Sequence, residues 1–177
     1  LRAPRQLASD LLTRGGIVFM QLLAALPLPM VRAKGVVLGY LLYLFVVPRR
    51  RVVQANLLLC FPERSDEERR ALAVQTFVFF AQAWLDRSWL WHGHPDKLRQ
   101  RLRLTGALSE LDGVQPTVLF APHFVGLDAG WAALTQQVQR SFTTIYTDQA
   151  NKLLDRWILG GRQRFPNARL FSRAEGV

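Results

Sequence analysis

The stretch TVLFAPHFVGLDAG, residues 117–130, indicates the fold of this chain. Residues 117–121 form a compact apolar run typical of a buried β-strand, and a helix is predicted to begin one or two residues after His123. In open α/β sheets, functional sites lie at the carboxyl ends of strands, where the chain turns into a helix. His123 is therefore predicted to lie at that edge, with Asp128 about one helical turn further on.

His123 and Asp128 have the chemistry of a general base and its orienting partner. A neutral imidazole can take a proton from a hydroxyl, while a carboxylate fixes the imidazole tautomer and stabilises the imidazolium that forms. Gly126 and Gly130 leave room for a substrate or for close packing of the helix on a sheet. The same spacing also fits a histidine at a helix start beside an unrelated, solvent-facing carboxylate. The spacing by itself leaves both interpretations open.

Strand-like and helix-like segments alternate on both sides of this stretch. Upstream, the pattern predicts a short strand at residues 101–105 and a short helix at residues 107–112. Downstream, it predicts a helix, a strand, a helix and a strand at residues 126–137, 143–146, 151–159 and 168–171. This order predicts an α/β fold with a mainly parallel sheet and flanking helices. The sequence ends at residues 174–177 within the alternation, so we expect a fragment of a longer protein.

The segment from Ser65 to Trp91 is predicted to be a long helix. Ser65 and Glu68 have the spacing of a capping box, and acidic residues fill the first turn. Residues that recur at three- and four-residue steps predict one buried face: Ala73, Phe77, Phe80, Trp84, Ser88 and Trp91. An aromatic stripe at this spacing is typical of a hydrophobic core, so we assign it no chemistry.

The N-terminal region is predicted to contact a membrane. Residues 15–31 carry no charge and are about as long as the shortest spanning helices, and Pro27 and Pro29 are expected to end or bend this segment. A buried core helix is the competing interpretation. A second apolar run, residues 36–47, is too short to span alone.

The chain has a formal net charge of +10. Of its 23 basic residues, 20 are arginines and three are lysines, Lys34, Lys97 and Lys152. Such a surface attracts anionic lipids, phosphorylated substrates or nucleic acid. Residues 49–51, all arginine, follow the second apolar run and fit either a cytoplasmic membrane surface or a solvated turn. The positive-inside comparison is weak, since Arg2, Arg5 and Arg14 lie on the other flank. Cys60 is the only cysteine and is predicted to be buried.

Three motifs together resemble one family. The stretch NLLLCFPE, residues 56–63, looks like the Asn-Leu-x-Leu-Cys-Phe-Pro-Glu signature of the late acyltransferases of lipid A biosynthesis. His123 to Asp128 falls where that family has its His-x4-Asp/Glu motif. Residues 145–164, IYTDQANKLLDRWILGGRQR, resemble the family's downstream region with its Gly-Arg-x-Arg element. The resemblance covers essentially the whole chain, although family members continue well beyond its last residue.

The resemblance implies a fatty acyl transfer from acyl-acyl carrier protein to the hydroxyl of a phosphorylated disaccharide lipid at the cytoplasmic face of the inner membrane, with no cofactor. It implies that His123 is the general base and Asp128 its partner. Arg162 and Arg164 become candidates for binding the acceptor phosphate or supporting the site, with a solvated basic loop as the alternative. Residues 1–47 would then be a membrane anchor with interfacial helices, and residues 48–177 a truncated acyltransferase domain. Asn56 and Glu63 are interpreted as structural turn residues.

Two other functions remain as alternatives. A glycerolipid acyltransferase uses a similar His-x4-Asp device on smaller acceptors, whereas a non-catalytic basic membrane-binding module would leave the His123 and Asp128 spacing to chance. Nucleic acid is not an expected partner, because the interleaved aromatic pattern of RNA-binding sheets is not evident. His92 and His94 lack a nearby third ligand, so we expect no metal site there. Gly160 and Gly161 lack the spacing and the Lys-Ser/Thr pair of a Walker phosphate loop.

Overall fold

A computed structural model describes residues 4–175 of the chain. The described part is mostly helical, with one small parallel sheet. Its helices are α1 (Pro4–Ala24), α2 (Leu28–Phe45), α3 (Val47–Cys60), α4 (Asp66–His92), α5 (Pro95–Arg101), α6 (Leu127–Gln137) and α7 (Lys152–Arg162). The strands are β1 (Phe142–Tyr146) and β2 (Ala168–Ser172), and short 3-10 turns lie at Leu108–Leu111 and Arg173–Glu175. Arg2, which entered the charge comparison, and residues 176–177 lie outside the described residues.

By their contacts, the residues group into two units. Of the described residues, one unit contains 4–25 and 87–175, and the other contains 26–86. Helix α4 contributes its first part to the second unit and its last part to the first. The division into residues 1–47 and 48–177 stays a prediction.

The predicted single anchor at residues 15–31 is divided between two helices. α1 ends at Ala24 and α2 begins at Leu28, because Pro27 precedes α2 and Pro29 occupies its first turn, where the missing proline N–H costs nothing. Residues 36–45 of the second apolar run form the end of α2, which extends back to Leu28 and is therefore longer than predicted, while Val47 begins α3. By length and composition, Gln6–Ala24 and Leu28–Phe45 could each cross a membrane.

The predicted turn at residues 49–51 is helical instead. Pro48 lies in the first turn of α3, and the three arginines follow within the same helix. Cys60 is exposed at the end of α3, so the prediction of a buried cysteine was wrong. Asn56 lies inside α3 rather than in a turn, whereas Glu63 lies in the turn between α3 and α4, as predicted.

Helix α4 confirms the predicted capping box. The Ser65 backbone N–H donates to Glu68 Oε2 at 2.8 Å, and the Glu68 backbone N–H donates to Ser65 Oγ at 3.3 Å. The helix buries most of the predicted face, including Ala73, Phe77, Ser88 and Trp91. Phe80 is an exception: it is 52% exposed, because the buried line runs through Ala81 one position further on.

Two glycines let α2 approach α4 closely within the second unit. A Cβ at Gly35 would lie 2.6 Å from Gln82 Cγ, and a Cβ at Gly39 would lie 2.8 Å from the Val78 backbone nitrogen. No larger side chain fits at these positions without displacing α4. Asp86 of α4 forms a 2.7 Å ion pair with Arg32 of α2, which also stabilises this interface.

The C-terminal half of the chain forms the predicted strand–helix–strand unit. β1 and β2 pair in parallel, with Phe142 opposite Ala168 and Tyr146 opposite Ser172, and α7 connects them. The Asn151 side chain caps α7 by accepting hydrogen bonds from the backbone N–H groups of Leu153 and Leu154. The predicted parallel sheet is therefore confirmed for two strands.

The two upstream strands were predicted wrongly. Residue 101 ends α5, and residues 102–105 form no strand. Residues 117–121 also pair with no strand in the described part of the chain, and Val118 and Phe120 are 96% and 91% exposed. An apolar run becomes a strand only when neighbouring strands satisfy its backbone hydrogen bonds, and residues 4–175 supply none here. The short helix predicted at residues 107–112 is the 3-10 turn Leu108–Leu111.

Candidate active site

Asp128 lies in the first turn of α6, at the point where three helices meet. The helix begins at Leu127, one residue after the start of the predicted segment 126–137 and two or three residues after the start expected next to His123, and it follows Gly126 with a φ of 115°. This left-handed conformation suits glycine, which has no Cβ to clash. A carboxylate in the first turn is favoured by the positive end of the helix dipole. Asp128 is therefore an early helical residue rather than one full turn into α6.

Two arginines hold the Asp128 carboxylate. Arg87 Nε of α4 donates to Asp128 Oδ2 at 2.8 Å, and Arg162 Nε at the end of α7 donates to Oδ1 at 2.9 Å. The side chains of Asp128, Arg87 and Arg162 are 13%, 18% and 28% exposed. The cluster thus joins α4, α6 and α7 through one partly buried carboxylate and carries one excess positive charge.

This environment keeps Asp128 ionised. Burial alone raises the pKa of the carboxyl, but the charges and hydrogen bonds of Arg87 and Arg162 act in the opposite direction and leave the pKa below its usual value. Each carboxylate oxygen has two lone pairs and accepts one arginine N–H, so Asp128 retains capacity for another donor.

His123 lies in the exposed loop that precedes α6. The loop is tightened by a 2.8 Å hydrogen bond from the Phe124 backbone N–H to the Pro122 carbonyl. His123 makes no hydrogen bond or ion pair with any residue that the structure describes. The described residues therefore bring Asp128 together with Arg87 and Arg162, and not with His123.

Arg164 lies at a different point from Arg162. Its guanidinium donates to the Leu90 carbonyl at 2.7 Å and to the Gly93 carbonyl, so it binds the carboxyl end of α4. Arg162 is further fixed through its backbone, because its carbonyl accepts a 2.8 Å hydrogen bond from Trp131 Nε1 of α6. Of the two predicted arginines, Arg162 is the one in contact with Asp128.

Comparison with known proteins identifies the family of the chain. The sequence profile of the bacterial lipid A biosynthesis acyltransferases matches residues 4–176. The chain belongs to this family. It is 31% identical over 159 residues to the lipid A biosynthesis lauroyltransferase of Escherichia coli K12, covering 86% of this chain and 50% of that protein. It is 30% identical over 131 residues to the lipid A biosynthesis myristoyltransferase of the same strain, covering 72% and 40%. No solved structure matches significantly.

The chain spans about half the length of the family members it matches, which are 40–50% covered. The relatives that the chain resembles include a lauroyltransferase, a myristoyltransferase and a palmitoleoyltransferase of lipid A biosynthesis. The residue described above that sequence reasoning missed is Arg87. A signal was present, since Asp86 and Arg87 are the only Asp, Glu, Lys or Arg residues between Ala71 and Trp91. Charges within an apolar helical segment need partners, and Arg87 finds one in Asp128.

The two remaining histidines have structural contacts. His92 Nε2 accepts a 3.0 Å hydrogen bond from Trp157 Nε1, and burial, together with the charge of Arg164, lowers the pKa of His92. A neutral imidazole is the form that can accept this bond. His94 precedes α5 and accepts a hydrogen bond from the Asp96 backbone N–H. Within residues 4–175, no cluster of three or more His, Cys, Asp or Glu side chains has the arrangement of a metal site.

Proposed function

We propose that the protein transfers a fatty acyl chain from acyl-acyl carrier protein to a hydroxyl of a phosphorylated lipid A precursor. The observation that carries this proposal is the ionised Asp128, held by two arginines at the start of α6 and preceded by His123 at the His-x4-Asp spacing. Family membership supports the reaction class, and the names of the relatives support lipid A as the acceptor type.

In this proposal, His123 takes the proton of the acceptor hydroxyl as its oxygen attacks the thioester carbonyl. The new C–O ester bond forms, the C–S bond breaks, and the carrier thiolate leaves and takes up the proton from the imidazolium. Asp128 orients the imidazole and stabilises its charged form. Since His123 lies in an exposed loop, contact with Asp128 requires the loop to turn towards the start of α6.

The arginines have separate roles in the proposal. Arg162 fixes Asp128 through Nε, and its two terminal nitrogens suit the acceptor phosphate, for which a guanidinium has matching geometry. Arg164 supports the site indirectly by holding the end of α4, while a direct contact with the substrate stays a prediction for this residue. No cofactor is required, because the thioester is already activated.

Membrane association at the cytoplasmic face of the inner membrane is part of the same proposal. Two apolar helices, α1 and α2, support it, as does the arginine run at the start of α3, in which Arg49 and Arg51 are exposed. Arginines beside apolar surface attract anionic headgroups.

The test uses the complete protein in detergent, with acyl-acyl carrier protein and a tetra-acylated lipid A precursor, and follows the mass of the acceptor. We expect a gain of one acyl chain that falls by at least about 100-fold in His123→Ala. His94→Asn is the matched control, because it replaces an exposed histidine and keeps a helix-capping side chain. Acylation of lysophosphatidic acid alone would instead favour a glycerolipid acyltransferase, and no acylation of any acceptor would contradict the proposal.

A further inference from the structure

The uncharged part of each apolar helix is only about half as long as a bilayer is thick. In α1 it runs from Gly15, after Arg14, to Ala24, and in α2 it runs from Gly35, after Lys34, to Phe45. These segments of ten and eleven residues are about 15–17 Å long at 1.5 Å per residue. The hydrocarbon core is about 30 Å thick and needs about 20 residues to cross. Each apolar segment therefore reaches through roughly one leaflet.

Side chains in the first half of α1 form hydrogen bonds with the start of α7. Asn151 Nδ2 donates to Ser9 Oγ at 3.0 Å and to Thr13 Oγ1 at 3.1 Å. The amide oxygen of the same side chain caps α7, so the amide has a fixed orientation with its nitrogen towards α1. Lys152, the next residue, is exposed. If Gln6–Ala24 crossed the bilayer, Ser9 and Thr13 would lie in the hydrocarbon together with the start of α7.

The first half of α2 contacts α4 through an ion pair, a hydrogen bond and close helix packing. Arg32 pairs with Asp86 at 2.7 Å, and its backbone carbonyl accepts a 3.2 Å hydrogen bond from Gln82 Nε2. Gly35 and Gly39 bring the two helix backbones together. A crossing α2 would carry this ion pair and hydrogen bond of α4 into the membrane, where charged groups are strongly disfavoured.

We infer that neither α1 nor α2 crosses the bilayer, and that both are inserted into a single leaflet from one side. This inference rests on the membrane association proposed above. The exposed apolar residues of the two inserted segments contact the acyl chains of that leaflet: Val18, Phe19 and Leu22 in α1, and Val37, Leu41 and Leu44 in α2. Arg14, Arg32 and Lys34 are exposed near the start of each apolar segment and extend to the headgroups.

Three single-cysteine versions of the complete protein test the inference. Gln6→Cys and Ala25→Cys, each in a Cys60→Ser background free of other cysteines, report the two ends of α1. The native Cys60, which is exposed at the end of α3, reports the side reached after α2. Each version is expressed in cells, and spheroplasts are treated with a membrane-impermeant maleimide before and after permeabilisation. A cytosolic marker and a periplasmic cysteine serve as sidedness controls.

We expect all three positions to be protected in intact spheroplasts and positions 6 and 60 to react after permeabilisation, which places them on the cytoplasmic side. Reaction of position 25 in intact spheroplasts, with the other two protected, would mean that both helices cross, and any other difference in side would mean that one crosses. Either result would overturn the inference. Protein recovered in the soluble fraction would instead contradict the membrane association, and loss of acyl transfer with this labelling pattern would contradict only the proposed reaction.

Discussion

Replacing Gly161 by alanine tests the packing of α7 on α4. Gly161 lies inside α7, and a Cβ added there would be 2.5 Å from Trp91 Cγ and 2.7 Å from Trp91 Cε2. Trp91 is buried, and its ring also packs edge-on against Trp157, with ring centroids 4.6 Å apart. The ring therefore has little freedom to move away, and α7 itself must shift.

The neighbouring Gly160 provides the matched control. It lies in the same helix, is exposed, and a Cβ there meets nothing within 4 Å. Alanine is favoured over glycine inside a helix by about 0.5–1 kcal/mol, so Gly160→Ala should stabilise the protein. Overpacking a buried interface costs about 1–3 kcal/mol, which exceeds that gain, so Gly161→Ala should destabilise it.

Thermal unfolding of the purified protein, followed by circular dichroism, measures the difference. For a chain of this length, 1 kcal/mol corresponds to about 2–4 °C, so Gly160→Ala should raise the Tm by about 1–4 °C. In Gly161→Ala the helix gain offsets part of the overpacking cost, so the net loss is up to about 2.5 kcal/mol and the Tm should fall by up to about 10 °C. If both variants were equally stable, the close contact between Gly161 and Trp91 would be refuted.

Two further predictions concern polar contacts. Because the pKa of Asp128 is lower in the folded state, the ionised carboxylate stabilises the folded protein above the unfolded pKa of about 3.9, and this stabilisation is lost as the pH falls through the folded pKa. The free energy of unfolding, measured against pH in the acid range, should show this loss in the wild type and not in Asp128→Asn. At neutral pH, Asp128→Asn should lower the free energy of unfolding by roughly 2–4 kcal/mol, since Arg87 and Arg162 lose their counter-charge in a partly buried site. Equal stability of the two proteins at pH 7 would argue against the ion pairs of Asp128 with these two arginines. Asn151→Ser keeps an α7 cap but is too short to reach Ser9 as well, so it should cost about 1–2 kcal/mol, while Asn151→Ala also loses the cap and should cost about 1 kcal/mol more. Hydrogen exchange in α1 should rise in both Asn151 variants, and unchanged exchange would contradict the α1–α7 contact.

The sequence predicted the elements whose determinants are local. Helix α4 followed from the capping box at Ser65 and from a buried face with helical periodicity, and α7 was predicted at residues 151–159 and lies at Lys152–Arg162. Such signals lie within a few residues of each other along the chain. The parallel pairing of β1 and β2 was predictable as well, since a helix connects two short apolar strands.

Features that depend on distant residues were not predictable. Residues 117–121 have the composition of a buried strand, but a strand needs partners, and composition does not specify them. Asp128 was identified from its spacing to His123, yet its contacts are with Arg87 and Arg162, which are 41 and 34 positions away. A spacing rule identifies candidate groups on one segment and contains no information on which side chains from other helices will surround them.

The two-arginine clamp explains why Asp128 suits the role proposed for it. A carboxylate that is 13% exposed loses hydration, and that loss by itself favours the neutral acid, which could not stabilise an imidazolium. Two cations reverse the balance, and they come from α4 and α7, so the charge state of Asp128 depends on how these helices pack. Gly161 is adjacent to Arg162, and a methyl group at Gly161 that displaces α7 also displaces the Arg162 guanidinium from Asp128. The packing of Gly161 against Trp91 therefore affects the charge state of Asp128 in the candidate site. Gly161→Ala should reduce both stability and acyl transfer, while Gly160→Ala should reduce neither.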